Sequence, residues 1–292
     1  MLTNLPKISI VTPTYNRADY LEETILSVIN QNYPNLEYII IDGGSIDGTV
    51  EIIKKYEKYL TYWISEPDEG MYFAIQKGFE KSTGEIMAWL NSDDKFHEGA
   101  LFSVAQIFTD LPNVEWIIGM PSMYNSEGLC VKISANNRWS ISRFQVGDYR
   151  WIQQESVFWK RELWAKVGNK INMSFKYASD FELWCRFFMQ TKLYPVSTSF
   201  AGFRLHNNQL SITYLNEYEY ETNEILKKFQ LKFGNIFKFN FIKKLWLLKC
   251  YLATINSIIT KNLAKILLYF IDKLHSYPDL IYFDFDKNKW KK

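Results

Sequence analysis

Short apolar runs alternate with helical patterns through the first third of the chain, and each run is closed by a polar or glycine-rich loop. Lys7-Ile-Ser-Ile-Val-Thr-Pro-Thr-Tyr-Asn16 opens the series, and Asn16 is placed to cap a helix whose apolar residues Leu21, Ile25, Val28 and Ile29 fall at helical spacing. Glu37-Tyr-Ile-Ile-Ile-Asp42 is followed by Gly43-Gly44-Ser45 and a helix predicted from Asp47 or Gly48 to about Tyr56. A strand over Tyr62 to Ser65, a helix around Met71 to Glu80 and a strand from Ile86 to Leu90 continue the pattern. Strands buried on both faces read as continuous apolar runs, and their alternation with helices predicts an α/β fold with a mostly parallel central sheet flanked by helices. Open sheets of this kind bind ligands outside the carboxyl ends of their strands, and Asp42 and Asp93 both fall at such ends.

The run Glu85-Ile-Met-Ala-Trp-Leu-Asn-Ser-Asp-Asp94 finishes in adjacent carboxylates. Two such charges repel unless a cation sits with them, which makes Asp93 and Asp94 candidate ligands for a divalent metal. The competing reading has Asp94 as the N-cap of a helix from Phe96 to Phe108. On these residues alone both readings stand.

The ordered set Val11-Thr-Pro-Thr-Tyr-Asn-Arg17, Ile41-Asp-Gly-Gly-Ser-Ile-Asp-Gly-Thr49, Ser65-Glu-Pro-Asp-Glu-Gly70, Ala74-Ile-Gln-Lys-Gly78, Gly84-Glu85 and Leu90-Asn-Ser-Asp-Asp94 resembles the nucleotide-sugar half of the family 2 inverting glycosyltransferases of bacterial glycan assembly. The resemblance implies the GT-A fold. It also implies nucleotide-sugar contacts at Thr12, Pro13, Thr14, Asp42, Lys77, Asn91, Ser92 and Asp93, with Asp42 accepting from a ring N–H of the base and Lys77 reaching phosphate or base. A strand-ending turn residue at Asp42 and a solvated helix lysine at Lys77 are the structural alternatives. The chain departs from the family where many members carry Asp-x-Asp: Asn91-Ser92-Asp93 stands here, so the charge for a divalent cation, Mn2+ or Mg2+, comes from Asp93 or Asp94. Gly43 likewise stands where a second acidic residue is common.

Trp151-Ile-Gln-Gln-Glu-Ser-Val-Phe-Trp-Lys-Arg161, Leu163-Trp-Ala-Lys-Val-Gly168 and Tyr177-Ala-Ser-Asp-Phe-Glu-Leu-Trp-Cys-Arg186 resemble the acceptor side of the same family. In that resemblance Asp180 matches the general base, a carboxylate that takes the proton of the attacking hydroxyl. The structural alternative makes Ser179 or Asp180 an ordinary N-cap of the apolar-rich helix that follows. Leu183, Trp184, Phe187 and Phe188 read as core. His206, in Gly202-Phe-Arg-Leu-His-Asn-Asn208, falls where the family often places an imidazole near the metal or the diphosphate, and imidazole is a competent ligand for Mn-like ions. His97 and His275 have no such context. Sugar and acceptor selection are assigned to the segment from Pro121 to Trp151 and the surroundings of Gln153, Gln154 and Glu155.

The charge balance of +2 conceals a division. Residues 222–292 hold 14 lysines, no arginine and five acidic residues, about +9, which leaves the remainder at about −7. Ile259, Leu263, Ile266, Phe270 and Leu274 lie on one helical face of this segment, and lysines interrupt each apolar run before it could span a bilayer. Two fates fit it: a helical annex packed on the catalytic domain or on a second copy, or an anchor on an anionic membrane surface. Nucleic acid suits it poorly, since no binding motif accompanies the lysines. Cys130, Cys185 and Cys250 are scattered and odd in number, which argues against a disulfide framework and a zinc site. No signal pattern precedes the first strand, so a cytoplasmic location is expected, peripheral on the inner face of the plasma membrane if the tail is an anchor.

The expected organisation is a GT-A domain at residues 1–215, with a nucleotide-sugar-binding half at 1–110 and an acceptor and catalytic half at 111–215, followed by a basic, aromatic-rich helical extension at 216–292. The expected activity is metal-dependent, inverting transfer of a sugar, UDP-linked by resemblance, to a hydroxyl of a saccharide or lipid-linked saccharide. A catalytically reduced nucleotide-sugar-binding or scaffolding protein is the non-enzymatic alternative. A sugar nucleotidyltransferase would need a Gly-rich, Arg- and Lys-containing loop after the first strand, which Thr12-Pro-Thr-Tyr-Asn16 is not.

Overall fold

The computed structural model of the chain describes residues 5–135, 139–140, 143, 152–206, 209, 213–230, 236–255, 257–274 and 277–292. Trp151, Asn207, Asn208, His275 and parts of the 121–151 segment lie outside the described residues.

The apolar runs form the strands predicted for them: β1 (Ile8–Thr14), β2 (Leu36–Asp42), β3 (Tyr62–Ser65) and β4 (Ile86–Trp89), separated by α1 (Ala18–Ile29), α2 (Thr49–Tyr56) and α3 (Met71–Lys81). β5 (Lys95–Phe96), α4 (Ala100–Asp110), β6 (Trp116–Ile118), β7 (Ser122–Tyr124) and β8 (Cys130–Ile133) follow. Next come β9 (Val157–Lys160), α5 (Arg161–Lys166), α6 (Ser179–Phe188), β10 (Tyr194–Pro195) and β11 (Ala201–Arg204). The central sheet has the order β10-β6-β9-β4-β1-β2-β3, and only β9 runs against its neighbours. A second sheet, β5-β11-β7-β8, sets the segment after Asp94 beside the segment before His206.

Alternate residues of the buried strands supply two cores, one on each face. Val11, Ile39, Ile41, Met87 and Trp89 meet α3 and α6, and Ile8, Ile10, Ile40 and Ala88 meet α1 and α4. α3 approaches so closely that a Cβ on Gly78 would lie 2.4 Å from Val11 Cγ1, so this motif glycine serves packing. Leu183, Trp184, Phe187 and Phe188 are core, as read from the sequence. Trp184 stacks on Trp89 with ring centroids 5.6 Å apart and planes 6° from parallel, which ties α6 to the strand that leads into Asn91.

Several local expectations are overturned. Asn16 does not cap α1: its Oδ1 accepts from Ile46 N–H at 3.0 Å, its φ is +49°, and Asp47 Oδ2 accepts from Ala18 N–H at 3.1 Å instead. The cap comes from the next strand-end loop, which fastens two loops of the rim together. The helix expected from Phe96 begins at Ala100, after Gly99, because Lys95 and Phe96 pair with β11. Asp94 is therefore no helix cap.

The C-terminal extension is helical, as expected, and closes with a short hairpin. Of its helices α7 (Leu215–Gln230), α8 (Ile236–Thr254) and α9 (Ile258–Leu274), the first places Ile225, Leu226 and Phe229 in the same core as α6. Beyond α9, β12 (Tyr282–Asp284) and β13 (Lys289–Lys291) form a hairpin whose Trp290, with Ile281 just before it, joins the core under α4.

Candidate active site

Strands β1, β2 and β3 end level, with Thr14, Asp42 and Ser65 in register. Asp42 is wholly buried. Its Oδ2 accepts from Gly44 N–H (3.1 Å), Ser45 N–H (2.9 Å) and Ser65 Oγ (2.6 Å), and its Oδ1 from Ser45 Oγ (2.5 Å). Its first task is thus to shape the Gly43-Gly44-Ser45 turn, in which Gly44 takes φ +83°, a conformation that strains other residues. Thr12 is buried against Tyr38 (Oγ1 to Oη 3.2 Å), Pro13 is buried within β1, and Thr14 Oγ1 is buried with no hydrogen-bond partner among the described residues. Tyr15 and Asp68, given no role by the sequence, flank Gly43 so closely that a Cβ there would lie 3.3 Å from each. Burial, with the Asp42 charge adding, pushes the Asp68 carboxyl up. Lys77 pairs with Glu66 and lines an open pocket of about 460 Å³ with Pro67, Asp68, Phe73 and Gln76.

Asp93 follows β4 on the same rim. Its Oδ2 is 3.0 Å from His206 Nε2 and 3.9 Å from Arg17 Nε. Residues 113 positions apart in sequence meet here because β11 carries the chain back beside β5. Arg204, wholly buried on β11, fixes the junction: its Nε donates to Asp93 O (2.7 Å), its NH2 group to Glu23 (3.0 Å), and its guanidinium lies over Tyr20, whose ring stacks on His206. Arg204 was missed in the sequence, where a charged residue ending an apolar strand just ahead of His206 was the available signal.

Asp94 points to other partners. Its Oδ1 accepts from Arg204 N–H at 2.9 Å and its Oδ2 lies 3.5 Å from Asn91 Nδ2. It is 1% exposed, and burial, with the charges of Asp93 and Glu155 adding, pushes its carboxyl well up. Burial, with the Asp93 charge adding, pushes up Glu155, which is 2% exposed, and its Oε1 has no hydrogen-bond partner among the described residues. Asn91 Oδ1, Gln153 Oε1 and Gln154 Oε1 are likewise buried and without a partner among the described residues, and Gln154 Nε2 donates to Trp89 O (2.6 Å) beside Asn91. Ser92 is buried.

Among the described residues no three His, Cys, Asp or Glu side chains are arranged to hold an ion. The donor set still suits a small divalent cation, which commonly takes only one or two protein side chains and completes its shell with substrate phosphates and water. Asp93 and His206 present an oxygen and a nitrogen already in contact, and the unpartnered Asn91 Oδ1 is a third, neutral donor nearby in sequence. Asp94, committed to the main chain of β11, is not part of that pair.

Asp180 sits half-buried in the first turn of α6. Tyr72 Oη, from the first turn of α3, lies 3.0 Å from Asp180 Oδ1 and 3.0 Å from Tyr177 O. Neither Ser179 nor Asp180 is the N-cap, which is Ala178 and carries no side-chain cap bond. Glu221 of α7 accepts the N–H groups of Lys176 (2.9 Å), Tyr177 and Ala178 (both 2.8 Å), while Ser179 Oγ donates to Phe175 O. Asp180 receives Phe181 N–H at Oδ1 as well. Burial pushes its carboxyl up to about 6, against the lowering effect of those two donors.

The sequence profile of Glycosyl transferase family 2 matches residues 9–191, more than half of the chain and all of the sites above except Glu221, His206 and its β11 support. The chain belongs to this family. Over 101 residues, 33% of this chain and 39% of the relative, it is 40% identical to a putative teichuronic acid biosynthesis glycosyltransferase, TuaG, of Bacillus subtilis. In fold it is similar to S. aureus TarS 1–349 in complex with UDP-GlcNAc, with TM-score 0.57, 15% identity and coverage of 92% of this chain and 88% of that one. It is also similar to the mannosyltransferase PcManGT of Pyrobaculum calidifontis in complex with GDP-Man and Mn2+, with TM-score 0.59, 16% identity and coverage of 92% and 81%. The architecture is thus of GT-A type, and the family 2 chain is a glycosyltransferase. A sugar nucleotidyltransferase is set aside.

Proposed function

We propose that the protein moves a sugar from a UDP-sugar to a hydroxyl of a saccharide or lipid-linked saccharide in glycan assembly, with inversion and with Mn2+ or Mg2+ bound at Asp93 and His206, in the cytoplasm. The convergence of Asp93, His206 and Arg17 on the sheet rim carries the reading, since it unites a carboxylate, an imidazole and a guanidinium from three distant segments. Bound there, the cation would neutralise diphosphate charge. Arg17 adds a planar, permanent positive charge suited to phosphate. The unpartnered Thr14 Oγ1, Asn91 Oδ1 and Gln154 Oε1 suit ribose and sugar hydroxyls, because buried polar atoms normally find partners.

Asp180 is the general base. The acceptor O–H gives its proton to the carboxylate as the oxygen attacks the anomeric carbon, and the bond to the diphosphate breaks with its electron pair leaving on the nucleotide. One displacement from the opposite face inverts the anomeric centre. A base held near 6 is ionised at neutral pH yet basic enough to assist. The name of TuaG and the bound nucleotide sugars of TarS and PcManGT support the substrate class.

A thermal-shift panel of nucleotide sugars with Mn2+, Mg2+ or chelator tests this. The donor should raise stability by about 2.7 kcal/mol at a hundredfold excess over Kd, and only with metal. A panel in which no nucleotide sugar shifts the transition with any divalent ion would overturn it.

A further inference from the structure

Helices α8 and α9 pack mainly against each other, through a small core of Ile242 and Ile271 joined by Leu245, Trp246 and Leu274, distinct from the two cores of the catalytic domain. Of the helical face picked out in the sequence only Leu274 is packed, and the other four residues are exposed. Ile259 is 72% exposed, and Leu263, Ile266 and Phe270 are exposed beside it, while Ala264 and Ile271 turn inward. On α8, Phe241, Leu247, Leu248 and Tyr251 are exposed as well. Soluble proteins seldom leave so many large apolar side chains uncovered on adjoining helices, and such patches mark interaction surfaces.

We propose that the α8–α9 hairpin is a docking surface for an anionic lipid bilayer, lying in the headgroup layer without crossing it. Charge selects the occupant. Residues 236–274 carry seven lysines and one acid, Asp272, about +6. A second copy would set the same positive charge against itself, whereas anionic headgroups complement it. Lys244 and Lys265 are exposed next to the apolar residues, where long ammonium side chains reach headgroups while their stems stay apolar. Lys249 lies over the Trp246 ring at 4.2 Å, an aromatic and basic pairing suited to a water–lipid boundary. No described helix is long and apolar enough to cross a membrane. The site chemistry is not involved, so this surface stands or falls apart from the transferase reading.

Cosedimentation of the full chain with vesicles of phosphatidylcholine alone, or mixed with phosphatidylglycerol, tests the proposal. Binding should require phosphatidylglycerol and fall as salt rises. The triple substitution Lys244→Gln, Lys261→Gln and Lys265→Gln should weaken partition by about a hundredfold, each lysine contributing about a factor of five. Ile259→Ser with Phe270→Ser should also release the protein; these residues are exposed, and circular dichroism checks that the helices remain. Asp180→Asn should bind vesicles like the unaltered chain. Undiminished binding by the triple variant would overturn the proposal. So would a full chain that ignores phosphatidylglycerol vesicles and forms a dimer broken by Ile259→Ser with Phe270→Ser.

Discussion

Tyr72 Oη sits 3.0 Å from Asp180 Oδ1, so the first turn of α3 holds the side chain that the first turn of α6 presents. The phenol favours the ionised carboxylate, opposing the burial that raises it. Tyr72→Phe removes that donor and leaves the ring packed. The acid limb of kcat/KM should therefore move to higher pH while the affinity for nucleotide sugar is unchanged. A pH–rate profile identical to that of the unaltered enzyme would show that the contact does not tune the base.

As the proposed general base, Asp180 should itself set that limb. Its carboxyl, pushed up to about 6 by burial, is protonated below that pH and ionised above it. Transfer should fall about tenfold per pH unit on the acid side. Asp180→Asn should keep the donor bound and lower kcat by about 10²-fold or more. Near-normal turnover by the folded variant would assign the proton to another group.

Asp93→Ala and His206→Ala should each reduce the metal-dependent part of UDP affinity, measured by titration calorimetry with Mn2+ and with chelator. Asp94→Asn should behave differently. Asp94 supports Arg204 N–H from a buried site, and its loss is expected in thermal stability more than in metal dependence. Equal loss of metal dependence in the Asp93 and Asp94 variants would contradict this separation.

Glu221 receives three main-chain N–H groups from the segment ahead of Asp180. Glu221→Ala leaves them without that acceptor and should destabilise the fold by about 2 kcal/mol or more. Urea unfolding measures this, and kcat should fall with it, because the same segment fixes the start of α6. Stability within error of the unaltered protein would show that water replaces the carboxylate at no cost.

Trp290→Ala should cost about 3–5 kcal/mol by emptying a core position under α4, where Trp290 N–H is also bonded to Asp110 Oδ2 at 2.8 Å. Chemical denaturation would show it as a lower midpoint with an unchanged slope.

The strand-and-loop alternation was legible because parallel strands buried on both faces leave continuous apolar runs, and the rim residues follow from where those runs stop. Asp93 and Asp180 were legible for the same reason, standing at a strand end and a helix start. Tyr72 and Glu221 were not: one lies inside an apolar helical turn and the other on a charged helix, and only the fold brings them to Asp180. The cap reading of Asp94 failed because its carboxylate takes a main-chain contact to Arg204 that no spacing reveals. The face of α9 was correctly found as apolar, but periodicity does not say whether an apolar face is covered. The hairpin at 282–291 did carry a signal, aromatic and charged residues alternating about Asp286-Lys287-Asn288, which the lysine content obscured.

Ile281 and Trp290 complete a core that Ile8 and Ile10 begin. A ribosome delivering this chain exposes the first strands long before their last apolar partners emerge. The sheet can assemble early, but the layer under α4 stays unsealed until the hairpin has left the exit tunnel. Folding of the catalytic domain is thereby coupled to synthesis of the hairpin, and a chain stalled in the lysine-rich helices would hold the strand-end rim above an unfinished base.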